Sequence, residues 1–272
     1  MSMSETTISK ERQTYLRYKK RRRRSILMVQ ISIVVIFLAL WEVLARAGVI
    51  DSFILSQPTR ILTTYINLFQ DDLWMHIGVT CYETLIGFLL GTVLGTLVAI
   101  ALWWSSYLSK VMEPFLVVLN SLPKIALGPV LIIWVGAGTQ AIIVMALAIS
   151  LIVTIMDVLH GFLNTDVETV KMARTFGATK RQIFQKIVMP SNVHTLFNSL
   201  KVNIGLSMVG VIAGEFLVSK AGLGYLIVYG GQVFKLDLVM ASVIILAVVA
   251  AMMYEAVVLL ERFVTKRLSH KP

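Results

Sequence analysis

With 272 residues, 57% of them hydrophobic and only 15% charged, the chain is too apolar for a water-soluble domain, where about a quarter of the residues are charged. Its mean hydropathy of +0.80 instead suits a chain that lives in a bilayer. The formal charge of +10 does not read as a nucleic-acid footprint, because the basic residues gather at the edges of apolar runs, and the single cysteine, Cys81, excludes an intramolecular disulfide and a cysteine-based metal site.

Residues 1–25 form a basic arm in which Lys10, Arg12, Arg17, Lys19, Lys20 and Arg21 to Arg24 precede the first apolar run. So dense a block of like charge reads as a solvated, disordered cytoplasmic segment. It also suits anionic headgroups, at about 1 kcal/mol per basic residue near the surface. A first span is predicted near 26–45. Ala45-Arg46-Ala47 mimics a signal-peptidase site, but the run is longer than a usual signal h-region and follows 24 charged-rich residues, so an uncleaved span is expected. The second span is predicted near 84–104, with Gly87, Gly91 and Gly95 at i, i+4, i+8 as a close-packing stripe.

The third span, near 115–135, is interrupted by Pro123, Gly128 and Pro129, and broken helices at membrane depth line cavities or pack inside protein. Lys124 lies in the break. It is a candidate pathway residue, or a cation that snorkels or pairs with a freed carbonyl. A fourth span is predicted near 139–160, where Asp157 and His160 lie one turn apart as an interfacial hydrogen-bonded pair rather than a metal site. The fifth, near 196–217, carries Lys201 at one end, Glu215 at the other and a second glycine pair, Gly210 and Gly214. Glu215 is the other candidate pathway residue, and Lys201 is placed to snorkel. Gly222-Leu223-Gly224 reads as a turn before a sixth span near 238–260. The whole gives an all-α membrane protein with six transmembrane helices over 26–264 and a short tail, 265–272.

Nineteen Lys and Arg fall on one side of these spans and four on the other, namely Arg46, Arg60, Lys220 and Lys235. The positive-inside rule therefore puts both termini in the cytoplasm, together with the segment 164–190. No Gly-x-x-x-x-Gly-Lys-Ser/Thr loop, His-Glu-x-x-His or Gly-x-Ser-x-Gly motif occurs, so no catalytic residue, metal site or nucleotide-binding loop is expected in this chain.

Within 164–190, Val170, Ala173 and Phe176, then Ile183, Phe184 and Ile187, recur at helical spacing, with Gly177 as a C-cap and Pro190 as a stop. On physics alone such an amphipathic pair either lies on the membrane or docks into a partner's groove. The spacing Gly177, Ile187, Pro190 resembles the EAA loop of ATP-binding-cassette importer permeases. Lys171 and Met172 stand where the consensus has Glu and its first Ala, and Ala173 agrees. The resemblance extends from about Trp41 to the end through Trp41-Glu42, Gln57-Pro58, His76, the Gly87 to Gly95 stripe, Pro123-Lys124, Pro129, Trp134, Gly136, Gly138, Glu215 and Gly222-Leu223-Gly224. These look like the nitrate, sulfonate and taurine permeases, and permeases for thiamine-precursor pyrimidines are similar.

The resemblance implies a type I importer permease core in a bacterial inner membrane. It implies that a coupling loop comprising Lys171, Met172, Ala173, Arg174, Gly177, Ala178, Ile187 and Pro190 docks a separate ATPase dimer, which holds the ATP and Mg. A second, identical permease copy and an extracytoplasmic solute-binding protein complete the expected assembly, which carries a small anion such as an aliphatic sulfonate, taurine or nitrate. The rival readings are an ATP-independent channel or secondary transporter, which has no need of a docking loop, and a membrane-embedded enzyme, which needs a converging catalytic set.

Overall fold

A computed structural model describes residues 10–70 and 72–268. Among the described residues five helices are long and apolar enough to cross a membrane, or six if one sharply bent pair counts as a span.

The chain divides into two units, Met1–Thr63 and Thr64–Pro272. In the first, helix α1 (Lys10–Arg46) runs through the basic arm into the apolar run. The described part of the arm, expected to be disordered, is thus helical. Lys and Arg are good helix formers, and extending an existing helix avoids the cost of nucleation. A short helix, α2 (Ser52–Leu55), is capped by Asp51, and α3 (Pro58–Gln70) begins with proline. Glu42 joins α1 to the start of α3: its carboxylate accepts from the Arg46 Nε at 2.6 Å, the Thr59 hydroxyl at 2.9 Å and the Thr59 amide at 3.2 Å.

The second unit is built on three helices, α4 (Leu73–Trp104), α7 (Thr139–Leu163) and α11 (Val193–Val218), with α7 packed against both others. Small residues make this approach possible. A Cβ on Gly87 would stand 2.6 Å from the Ala146 Cβ, and one on Gly95 would stand 2.7 Å from Thr154 Cγ2. From the other side, a Cβ on Gly210 would stand 2.5 Å from the Ala146 Cα, and one on Gly214 would stand 3.0 Å from the Ile142 Cα. Both glycine stripes are therefore used within the chain, and α7 answers them with Ile142, Ala146, Ser150 and Thr154 on successive turns. Asn203 adds a polar tie from α11 to the Thr92 hydroxyl of α4 at 2.6 Å.

The bent pair is α5 (Ser106–Ser121) and the segment Lys124–Val135, which turns through 82° and comprises a 3-10 turn and α6 (Gly128–Val135). The break expected at Pro123 is there. Pro123 disfavours helix at Leu122, which is extended, and a second proline opens α6 where its missing N–H costs nothing. After α7 come α8 (Val167–Thr175), α9 (Lys180–Ile183), a π turn over Phe184–Val188 and α10 (Met189–Ser191). Pro190 does not stop the helix as expected. The chain stays helical through Ser191, and the π turn precedes the proline, where an ordinary i to i−4 bond is unavailable. α12 (Leu223–Gln232) and α13 (Leu236–Leu268) pack together and on α11.

Lys201, expected to snorkel, instead pairs with Glu261 of α13 at 2.6 Å. The second span starts eleven residues before its expected limit, because His76, Thr80 and Glu83 lower the local hydropathy yet face protein.

The contact between Gly210 and the α7 backbone predicts that Gly210→Val forces the helices apart, at about 3 kcal/mol or more for overpacking. Thermal unfolding in detergent should show a clear loss for this variant. Gly205→Ala, on the open face of α11 with nothing within 4 Å of the added Cβ, should unfold like the parent.

Candidate functional site: a braced loop and a buried carboxylate

The segment 164–192 is fixed by its own caps before any packing is considered. The Asp166 carboxylate accepts from the amides of Glu168 at 3.1 Å and Thr169 at 3.2 Å, and from the Thr169 hydroxyl. The Thr169 hydroxyl and then these two amides hold its carboxyl below the usual range. At the other end of α8, Gly177 takes φ +79°, the Ala178 amide reaches back to the Ala173 carbonyl and the Gly177 amide to the Arg174 carbonyl. This is the paired-bond glycine cap, which side chains bearing a Cβ adopt only with strain. Thr179 and Gln182 then form a reciprocal capping box at the start of α9.

The capped pair is bolted to the bundle. Ile183 and Val188 are buried with Leu102 of α4, Leu116 of α5 and Val158 and Phe162 of α7, and Val170, Ala173 and Ala178 pack onto this cluster. Phe184 meets Trp103 at 5.0 Å and Phe162 at 5.6 Å between ring centroids. Lys180 donates to the Trp104 carbonyl at 2.6 Å, capping the end of α4, and lies 5.4 Å from the Trp103 ring centroid. The apolar side of the amphipathic pair is thus already used.

What remains outward is Lys171, Met172, Arg174 and Gly177, with Phe176 84% exposed at the tip. Ile187 is half-buried and Pro190 exposed. The structure therefore splits the sequence-predicted loop residues into an outward set, namely Lys171, Met172, Arg174 and Gly177, and a bracing set, Ala173 and Ala178. Sequence reasoning counted Phe176 as part of the apolar face, whereas the glycine turn beside it swings it outward.

The two pathway candidates stand far apart in role. The Lys124 Nζ donates to the Asn120 carbonyl at 2.8 Å, so the cation answers a carbonyl that the broken span exposes. Glu215 is 1% exposed. Its carboxylate accepts from the Thr80 hydroxyl at 2.7 Å and from the Gly224 amide at 2.5 Å. Thr80 in turn accepts from the Leu223 amide at 2.8 Å, and the His76 Nδ1 from the Gly222 amide at 2.9 Å. Three successive amides at the start of α12 are thus met by side chains of α4 and α11, where the helix dipole favours an acceptor. Gly222, at φ +113°, and Gly224 leave the space that the carboxylate fills, so the Gly-Leu-Gly segment is more than a turn. Glu83, also 1% exposed, lies beside Glu215 and the Thr139 hydroxyl. The sequence signal for this network was the spacing of His76, Thr80 and Glu83 ahead of the glycine stripe on α4.

Among the described residues no group of three His, Cys, Asp or Glu side chains could hold a metal ion. An apolar helical bundle with an interrupted span and a braced, exposed loop defines a multi-helix membrane protein. Residues 91–270 match the model of the binding-protein-dependent transport system inner membrane component family, and the chain belongs to that family. It is the permease subunit of an ATP-binding-cassette importer.

A probable ABC transporter permease protein of Haemophilus influenzae is 29% identical over 88% of this chain and 97% of its own length. The putative aliphatic sulfonates transport permease protein SsuC of Bacillus subtilis is 26% identical over 92% of this chain and 91% of its own. In fold the chain is similar to an inward-facing structure of the MetNI methionine ABC transporter, with a TM-score of 0.63 and 20% identity, covering 71% of this chain and 95% of that one.

The Asp166 cap predicts a pH dependence. A carboxyl held below its ordinary 3.8 supports α8 while ionised, so the support is complete above that value and is lost as the pH falls through the lowered one. Protection factors of the first-turn amides of α8, corrected for the intrinsic exchange rate at each pH, should fall in that acid window. Asp166→Ala should lower them at neutral pH, and Asp166→Asn, which can still cap, should not.

Proposed function

We propose that the segment 164–190 is the coupling element of the importer, docking a separate ATPase subunit through Lys171, Met172, Arg174 and the tip residue Phe176. The observation that carries this reading is the division of labour in the loop. Its inward apolar side is spent on the bundle, and what it still presents outward is a small apolar tip, Met172 and Phe176, ringed by two cations. An exposed aromatic flanked by basic groups is the make-up of a protein-docking hot spot. The departure at Lys171 and Met172 from the usual Glu-Ala replaces an acidic contact by a basic and an apolar one, and the complementary cleft is expected to match.

In this reading both termini and the loop face the cytoplasm, in line with the Lys and Arg count. Two copies of the chain form the pathway, since each offers one docking loop and the ATPase is a dimer that binds ATP and Mg. An extracytoplasmic binding protein delivers the solute on the other side. ATP closure draws the two loops together, and differential contacts in the two states bias alternating access. The name of the Bacillus subtilis relative favours a small anion of the aliphatic sulfonate kind as cargo.

Phe176→Asp should weaken ATPase binding by about 2 kcal/mol or more, the scale of a hot-spot aromatic. That is roughly 30-fold in Kd. Membrane insertion and thermal stability should be unchanged, because the side chain is exposed. Co-purification of the ATPase in undiminished amount would count against the docking role.

A further inference from the structure

Glu83 of α4 and Glu215 of α11 are each 1% exposed, and their carboxyl groups lie side by side. Two ionised carboxylates in contact repel strongly away from water, and each has also given up its hydration. The cations on the surrounding elements are committed elsewhere. Lys124 donates to the Asn120 carbonyl, Lys201 pairs with Glu261, and Lys235 lines a separate recess with Asp72 and His76.

The two carboxyl groups differ in what they receive. Glu215 accepts from the Thr80 hydroxyl and the Gly224 amide, at the start of a helix whose dipole favours an anion. Neither oxygen of Glu83 receives a hydrogen bond, although the Thr139 hydroxyl is close by. A carboxylate stripped of water and given no donor is costly, whereas a neutral carboxyl group has an O–H of its own to give, and Glu215 stands beside it to take it.

The other titratable groups around the pair leave this assignment unchanged. His76 presents Nδ1 as an acceptor to the Gly222 amide and stacks on the Tyr225 ring, and the Cys81 thiol is partly buried on α4. From α7 comes the Thr139 hydroxyl, with Asp157 and His160 at the other end of that helix, and Asp237 at the start of α13 is a further acid rather than a cation.

We propose that Glu83 and Glu215 form a proton-binding site, in which Glu83 is held as the acid and its O–H donates to the ionised Glu215. The pair then carries one proton and one negative charge, and the proton belongs to the pair as a unit. The shared proton joins α4 to α11 beside the Thr80 bond, and its loss leaves two anions facing each other across that joint. The inference concerns this chain alone and does not rest on the importer reading.

The test is infrared spectroscopy of the full chain purified in lipid at neutral pH. The parent should show the carbonyl stretch of an un-ionised carboxylic acid, slow to shift in deuterium oxide because the pair is buried, and Glu83→Gln should remove it. Gln keeps the shape of the acid and an N–H to give to Glu215, so this variant should unfold at the parent's temperature or above it. The pH dependence separates the proton from packing. The folded pair holds a proton that an unfolded glutamate has given up at neutral pH, so the parent should lose thermal stability as the pH rises, until the pair has released it, by more than Glu83→Gln does. No acid band in the parent, a band of undiminished strength in Glu83→Gln, a variant that unfolds well below the parent, or an equal alkaline loss in both would each overturn the site.

Discussion

The structure of the larger unit depends on how closely α7 is approached from two sides. Leucine-sized side chains would hold α4, α7 and α11 apart, and lipid tails offer no hydrophobic gain to compensate, so association rests on backbone proximity. The glycines of α4 and α11 meet Ala146 from opposite sides, with the added-Cβ distances at 2.6 and 2.5 Å. A helix clamped in this way has little freedom to slide independently. Whatever displaces one end of α7 displaces its neighbours as well.

The two ends of the bundle use this rigidity differently. At the loop end, Ile183, Val188 and Phe184 carry the segment 164–190 into the same core as Val158 and Phe162 of α7 and Leu102 of α4, and Lys180 caps α4 itself. At the opposite end, Glu215 binds the start of α12 to α4 through Thr80, with His76 completing the set. A buried carboxylate is a poor source of net stability, but it is demanding in geometry, because every donor must be in place. It fixes where α12 begins.

Much of this was legible in the residues. Long apolar runs announced the helices, Pro123 and Pro129 the break, and the glycine stripes close packing. Gly177 was readable as a cap because few other residues take a positive φ there. Three things were not legible, and each has a physical reason. The polar first turns of α4 fell below a hydropathy threshold although they face protein, which a window average cannot register. Helix in the basic arm depends on continuation from an apolar neighbour rather than on its own charge pattern. The role of Glu215 required knowing that Gly222 and Gly224 come to it from across a loop, and spacing in sequence does not reveal such an approach.

In the proposed importer the loop and the bundle move as one body when ATP is bound. Pulsed electron-electron resonance between spin labels at Met172 and at Val93, both exposed, tests it directly in assembled importer with one labelled permease copy per complex. The distance within this chain should stay the same with and without ATP, while the distance between the Met172 positions of two singly labelled copies should shorten. A Met172 to Val93 distance that changes with nucleotide, with the separation between copies unaltered, would contradict it, because the loop would then flex without moving the helices.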